Sequence, residues 1–319
     1  MKEITVKDVV VELQKRFLEE FSVYLYSMPN EEKDFIDTIL LAKKSEVYLK
    51  DRVIDGEMHV KGLVINPNFG DLRNSFFSLE EIMDVLEKSI REKLYDKENF
   101  IKENLLVDCT LDANYVLENT QIRLIELEGN EELLSYVANY PIPDLGLAAM
   151  FAVCTNDETF DTVLLTEHDR RFLGITLEDL YDTTNSVEEF EGYSYKSLMD
   201  SLNIPPEVRE MPFLFGLSEA ALKMGVIRKK MEAPFGYGSS AILHTDFLYD
   251  VAEEIGDSFY MVPTSLCELV CIPGETAEDV RGGVEGLLIP GNSGVSPDMV
   301  LCNHVFKYDR DEGDVSLVL

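Results

Sequence analysis

A chain of 319 residues, 45% of them hydrophobic, can bury a sizeable core and is long enough for one large domain or two ordinary ones, so a disordered chain is excluded. Its 61 acidic against 28 basic residues give a formal net charge of -33, and a field of that sign disfavours direct binding to nucleic-acid phosphates while permitting a basic protein partner. No apolar run of about 18 or more residues exists to cross a bilayer. The start MKEITVKDVVVELQ lacks the unbroken apolar core of a signal peptide, and five scattered cysteines (Cys109, Cys154, Cys267, Cys271, Cys302) fit a reducing compartment, so a cytoplasmic protein away from membranes is expected.

In chain order, TVKDVVVELQKRFLEEF carries apolar residues at helical spacing, and FIDTILLAKK and HVKGLVINP read as two short strands, giving an opening helix and hairpin. Ser78 and Glu81 form a capping box ahead of the helix IMDVLEKSIREKLYD: the serine oxygen accepts from the third backbone N–H while the glutamate reaches back. TQIRLIELE reads as a strand, with Asn130 placed to cap the short helix EELLSYVAN.

From about residue 146 strands alternate with brief capped helices. LAAMFAVCTNDETFDTVLLTEHD reads as a hairpin turned at Thr155-Asn156-Asp157, and Thr166 with Asp169, then Thr176 with Asp179, are spaced as further capping boxes. TVLLTEHDRRFLG is echoed by SAILHTDFLYDVA, a possible repeat that runs from an apolar strand through Thr and His into an acidic helix start. SPDMVLCNHVFKYDRDEGDVSLVL reads as a short helix opened by Ser296 and Pro297, then a hairpin turning at Asp311-Glu312-Gly313. The expected fold is α+β: antiparallel sheets with peripheral capped helices, two lobes in one compact body. Residues 1–140 form a helix-hairpin-helix lobe and residues 141–319 a strand-rich acidic lobe, with SLNIPPEVREMPF as a subdomain boundary.

Several side chains invite a chemical reading. In FYMVPTSLCELVCIP, Ser265, Cys267 and Glu268 could begin a nucleophilic site, but Ser265 and Glu268 also have capping-box spacing, and one helical turn between two strands accounts for both. A cysteine nucleophile needs an oriented base, and only a distant histidine such as His244 or His304 could supply it. Cys267, Cys271, Cys302 and His304 are soft ligands, yet their spacing is poor for zinc and Cys271 lies in an apolar run, so no metal and no cofactor are expected. FGYGSS and GGVEGLLIPGNSG lack the continuation of a phosphate loop and read as turns. His168 and His244 stand close to Asp169 and Asp246, a pairing that suits a general base or a cap.

Acidity is uneven. Residues 1–130 hold 27 acids and 17 bases, net -10, and residues 131–319 hold 34 and 11, net -23, with Arg228-Lys229-Lys230 an isolated basic run. The clusters Glu188, Glu189, Glu191 and Asp309, Asp311, Glu312, Asp314 are the candidate binding carboxylates. The favoured expectation is a non-enzymatic binding or regulatory module that engages a basic protein, in its strongest form a decoy offering carboxylates in place of phosphates. The alternative is a hydrolase-type enzyme using Cys267 or one of His168, His244 and His304 with an acid.

The chain resembles an uncharacterised family, domain of unknown function 5688, over most of its length. The resemblance is carried by HVKGLVI, by IRLIELEGNEELLSYVANYPIPDLGLAAMFAV with VLLTEHDRRFLGITLEDLYDTT, and by GDSFYMVPTSLCELVCIP with VSPDMVLCNHVFKYDRDEG. It implies a cytoplasmic bacterial protein, often acidic and carried on mobile elements, and it brings no activity with it. Family members tend to read Ser-Ser-x-His-Glu where this chain has Thr264-Ser265-Leu266-Cys267-Glu268, so any chemistry of that histidine is not carried over to Cys267. The stretch from Met211 to Tyr237 also departs from the family pattern.

Overall fold

A computed structural model describes residues 4–17, 19–29, 35–43, 58–65, 78–95, 106–155, 161–201, 203, 205, 223–230, 236–274, 281 and 296–318. The helices are α1 (Val6–Arg16), α2 (Leu79–Tyr95), α3 (Ala113–Glu118), α4 (Glu131–Leu134), α5 (Glu167–Phe172), α6 (Leu177–Glu191), α7 (Leu198–Ser201) and α8 (Thr245–Ile255). The strands are β1 (Phe21–Pro29), β2 (Phe35–Lys43), β3 (Met58–Ile65), β4 (Leu106–Leu111), β5 (Thr120–Glu126), β6 (Asn139–Ile142), β7 (Leu147–Cys154), β8 (Thr162–Leu164), β9 (Tyr193–Ser197), β10 (Gly225–Lys229), β11 (Phe259–Ser265), β12 (Glu268–Pro273), β13 (Phe306–Asp309) and β14 (Asp314–Leu317). The protein is thus a mixed α and β fold built on two open antiparallel sheets, as the alternating strands and capped helices predict. It divides into two compact units: Met1–Thr120, Glu131–Asn139 and Phe151–Thr183 in the first, and Gln121–Asn130, Tyr140–Met150 and Thr184–Leu319 in the second.

In the first unit the strand order is β4-β3-β2-β1-β8-β7. β1 pairs with β2 along its whole length, from Phe21 opposite Lys43 to Pro29 opposite Phe35. Period-two side-chain placement then puts Tyr24, Tyr26, Leu40, Ala42, Phe151 and Val153 into one core. Helix α1 starts where Thr5 and Asp8 form a reciprocal capping box, and it buries Val6, Val9, Val10 and Leu13, the stripe that its helical spacing predicts. The box at Ser78 and Glu81 is present ahead of α2, with the glutamate accepting from the serine N–H at 2.8 Å. Strands β1 and β4 were not expected from the sequence; FSVYLYSMP lies directly after an amphipathic helix, and polar interruptions mask its alternation. The turn at Asn156 and Asp157 lies outside the described residues, although β7 and β8 pair antiparallel on either side of it.

In the second unit the sheet order is β14-β13-β11-β12-β10-β9. Val226, Tyr260, Val262, Val270, Ile272 and Val305 form its core. Three local expectations are corrected here. Ser265 and Glu268 do not open a helical turn: β11 and β12 pair directly through a two-residue loop, Leu266-Cys267, and the Ser265 hydroxyl accepts from the Cys267 N–H at 3.0 Å. The strands' mutual pairing satisfies more backbone groups than one helical turn would. The apolar run Ser240–Leu243, expected as a strand in the second repeat copy, belongs to a 3-10 helix over Gly238–Leu243, because Gly238 and Ser239 dock it against the hairpin loop and leave no strand edge beside it. Asn130, expected to cap α4, instead donates its side-chain amide to the Glu126 carbonyl at 2.9 Å.

Candidate functional site

Two features of the second unit could do work: a buried polar cluster centred on Glu188 and an acidic surface carried by α8 and the last hairpin. Glu188 lies in the last turn of α6 and is fully buried. Read as sequence it falls among exposed carboxylates, and the structure corrects this; the side chains of Glu189 and Glu191 lie outside the described residues.

The cluster is assembled by five elements whose local structure fixes each side chain. β10 alternates, so Arg228 points outward to Glu268 on the paired strand at 2.7 Å, while Lys229 points inward and reaches Glu188 Oε1 at 3.3 Å. The basic run is thereby split between two faces. The Ile122 N–H of β5 donates to the same carboxylate oxygen at 2.9 Å. On the other oxygen, Tyr193 of β9 donates its hydroxyl at 2.8 Å and His244 Nε2 lies at 3.5 Å. Ser240 Oγ lies 2.9 Å from the Tyr193 hydroxyl, and the Lys229 ammonium stands 4.9 Å from the centre of the Tyr193 ring.

What places Ser240 and His244 is the close approach of Gly238 to the β11–β12 loop. A Cβ at Gly238 would come within 2.1 Å of the Cys267 carbonyl, so only glycine fits. The Ser239 N–H and hydroxyl both donate to the Leu266 carbonyl, which locks the turn onto the loop. Burial pushes the Glu188 carboxyl up, but the Lys229 charge, the His244 and Tyr193 side chains and the Ile122 N–H outweigh it and hold the group below the usual carboxylate range. Glu188 is therefore an anion in a dry site.

Chemically, a carboxylate, a histidine, a hydroxyl pair and a lysine are the parts of a general acid–base centre. All of these groups are enclosed: Glu188 and Ser240 are 0% exposed, Tyr193 3%, His244 5% and Lys229 7%. The other sequence candidates are scattered. Cys267 sits half-buried in its hairpin loop, and Cys271 and Cys302 are buried, with the Cys302 thiol pushed up to about 12 by burial. His168 is exposed on α5, whereas Asp169 is buried and its N–H donates to the Thr166 hydroxyl. His304 pairs with Glu126 at 2.7 Å, and His244 pairs with Glu188 where Asp246, its sequence neighbour, is exposed. Among the described residues no three His, Cys, Asp or Glu side chains gather to hold a metal ion, and no helix is long and apolar enough to cross a membrane.

The acidic surface is built from two segments. Residues 245–257 hold five acids and no base, and residues 306–318 hold four acids and two bases, Lys307 and Arg310. On α8 the outward positions include Asp246, Asp250, Glu253 and Glu254, with Tyr249 49% exposed among them. In the hairpin Asp311, Glu312 and Asp314 are exposed. Asp309 is turned into the turn itself, where it accepts from the Asp311 and Glu312 N–H groups and from Lys307 at 2.7 Å. The Lys307 ammonium and those two N–H groups hold its carboxyl below the usual range. Arg310 joins the segments: its Nε donates to Glu253 at 2.9 Å, its guanidinium also reaches the Gly256 carbonyl at 3.2 Å, and its N–H donates to Ser258. Both cations of the surface are thus matched to acids within it, and the remaining carboxylates set its field.

A family model described as Family of unknown function (DUF5688) matches residues 7–310. The chain belongs to this family. The match takes in most of α1, the whole buried cluster, α8 and Arg310, and it ends before the exposed Asp311, Glu312 and Asp314 of the last hairpin. No curated protein and no solved structure matches the chain.

Proposed function

We propose that this family member is a binding or regulatory module whose second unit presents a fixed acidic face to a basic protein partner. The observation that supports it is the Arg310 bridge, which ties α8 to the last hairpin, two segments that together carry nine acids and two bases. Exposed Tyr249 supplies an aromatic face amid the carboxylates, and tyrosine with charge around it suits arginine-rich and lysine-rich partners. The burial of every member of the Glu188 cluster supports a non-catalytic reading over the hydrolase alternative. The finer form of the proposal, a decoy occupying a nucleic-acid-binding groove, is separable because such a partner would be displaced by nucleic acid.

The test is association kinetics with a partner recovered from the host by affinity capture. Association should slow steeply between low and high salt, since exposed charges more than about 8 Å apart are screened at physiological ionic strength. Reversing Asp311, Glu312 and Asp314 together to lysine, or Asp246 with Asp250, should slow it further while leaving folding intact, because exposed pairs contribute only about 0–1 kcal/mol. Rates indifferent to salt and to both reversals would sink the proposal.

A further inference from the structure

The buried cluster has a feature that the acidic face does not explain: helix α8 has no side-chain cap. Its first residue follows His244 directly, and no side chain bonds the free N–H groups there. The helix start is held through His244 itself. The His244 N–H donates to the Ala241 carbonyl at 3.0 Å and its carbonyl accepts from Leu248 at 3.0 Å, while its ring lies against Tyr193 with centres 5.0 Å apart and its Nε2 faces Glu188. Phe247, on the same turn, packs on the same Tyr193 ring at 5.4 Å.

We propose that His244 is a proton-operated latch on the start of α8. The groups facing it are Glu188 from α6, Tyr193 from β9, Lys229 from β10 and Ser240 from the preceding 3-10 turn, with the Ile122 N–H of β5 on the far carboxylate oxygen. Of these one is an anion and one a cation, so with His244 neutral the site is balanced. A proton on His244 leaves a net positive charge where every member is 7% exposed or less, and the carboxylate that would offset it is already shared with Lys229. An uncompensated charge away from water is strongly destabilising, and histidine is the side chain whose charge changes between pH 5 and 8. The relief is local: the ring leaves the cluster for water, and the first turn of α8, which has no side-chain cap and is held otherwise by the packing of Phe247 and Leu248, opens with it. Glu188 stays ionised in that pH window because its carboxyl sits below its ordinary range. The latch does not require the acidic face to bind anything.

Amide exchange of the intact protein tests it. After correction for intrinsic chemistry, protection at residues 245–249 should fall about tenfold between pH 7.5 and pH 5.5, while α1, whose start is held by its own capping box, should not change. His244→Gln, which cannot titrate, should abolish the pH response. Should that variant fail to fold, the ring titration of His244 followed by NMR in the wild type replaces it, and its midpoint should coincide with the loss of protection. Protection that is flat or rises on acidification, a response kept in His244→Gln, or a midpoint that differs from the ring titration would overturn the latch.

Discussion

Lys229 shows how much a single strand position decides. In the sequence it is the middle of a basic triplet; in β10 it shares a face with Ile227, and burial there requires an acid, which α6 provides as Glu188. Removing one partner of such a pair strands the other's charge, so Lys229→Met should lower unfolding free energy by about 3–5 kcal/mol. The double variant Glu188→Gln/Lys229→Met should lose less than the sum of the single changes, a coupling that urea denaturation of all four proteins reads. The pH dependence has a fixed sign. Because the folded carboxyl of Glu188 lies below its ordinary value of about 4.3, its stabilisation is present above that value and is lost as pH falls through the folded pKa. The stability difference between wild type and the double variant should therefore shrink from pH 6 to pH 3, and a constant difference would refute the assignment. The cysteines differ just as sharply. Burial raises the Cys271 and Cys302 thiols, so maleimide at neutral pH should label the half-buried Cys267 well before either, as peptide mapping would report.

Among elements, helices with caps written into their own sequence are the ones that sequence patterns locate. The Ser78–Glu81 box lies where its spacing puts it, and Ser78→Ala should cost about 1 kcal/mol without altering the fold. Gly238 acts over a longer distance. Its missing side chain lets the 3-10 turn sit on the β11–β12 loop, and the opposing atoms there are backbone, which has no rotamer to move aside. Gly238→Ala should accordingly cost more than Ser78→Ala and should also disturb the His244 and Tyr193 ring signals. A cost below that of Ser78→Ala would mean the loop gives way, against the packing described.

At the scale of the molecule, a net charge of -33 opposes compaction because like charges repel one another. Added salt screens that repulsion. Raising sodium chloride from about 20 to 300 mM, which shortens the Debye length severalfold, should therefore raise the melting temperature. A fall in melting temperature would instead assign the net electrostatic effect to favourable surface pairs such as Arg16 with Asp84 and Arg310 with Glu253. The same acidity on the second unit is what the proposed partner would meet, so folding and association should respond to salt in opposite senses.

Composition and short-range pattern alone determined the acidic character, the mixed α and β class, the family resemblance, the capping box at Ser78, the threonine caps at Thr166 and Thr176, and the closing hairpin. Each of these depends on residues a few positions apart, where spacing is geometry. Tertiary structure decided the rest. Glu188 meets Lys229 and His244 across separations of 41 and 56 residues, and the same acidic residue type a few positions along a helix becomes core or surface according to the face it occupies. Whether Ser265 begins a helical turn or ends a strand depends on β12 lying ready to pair. Local spacing is the same in both cases, and only the long-range partner chooses between them.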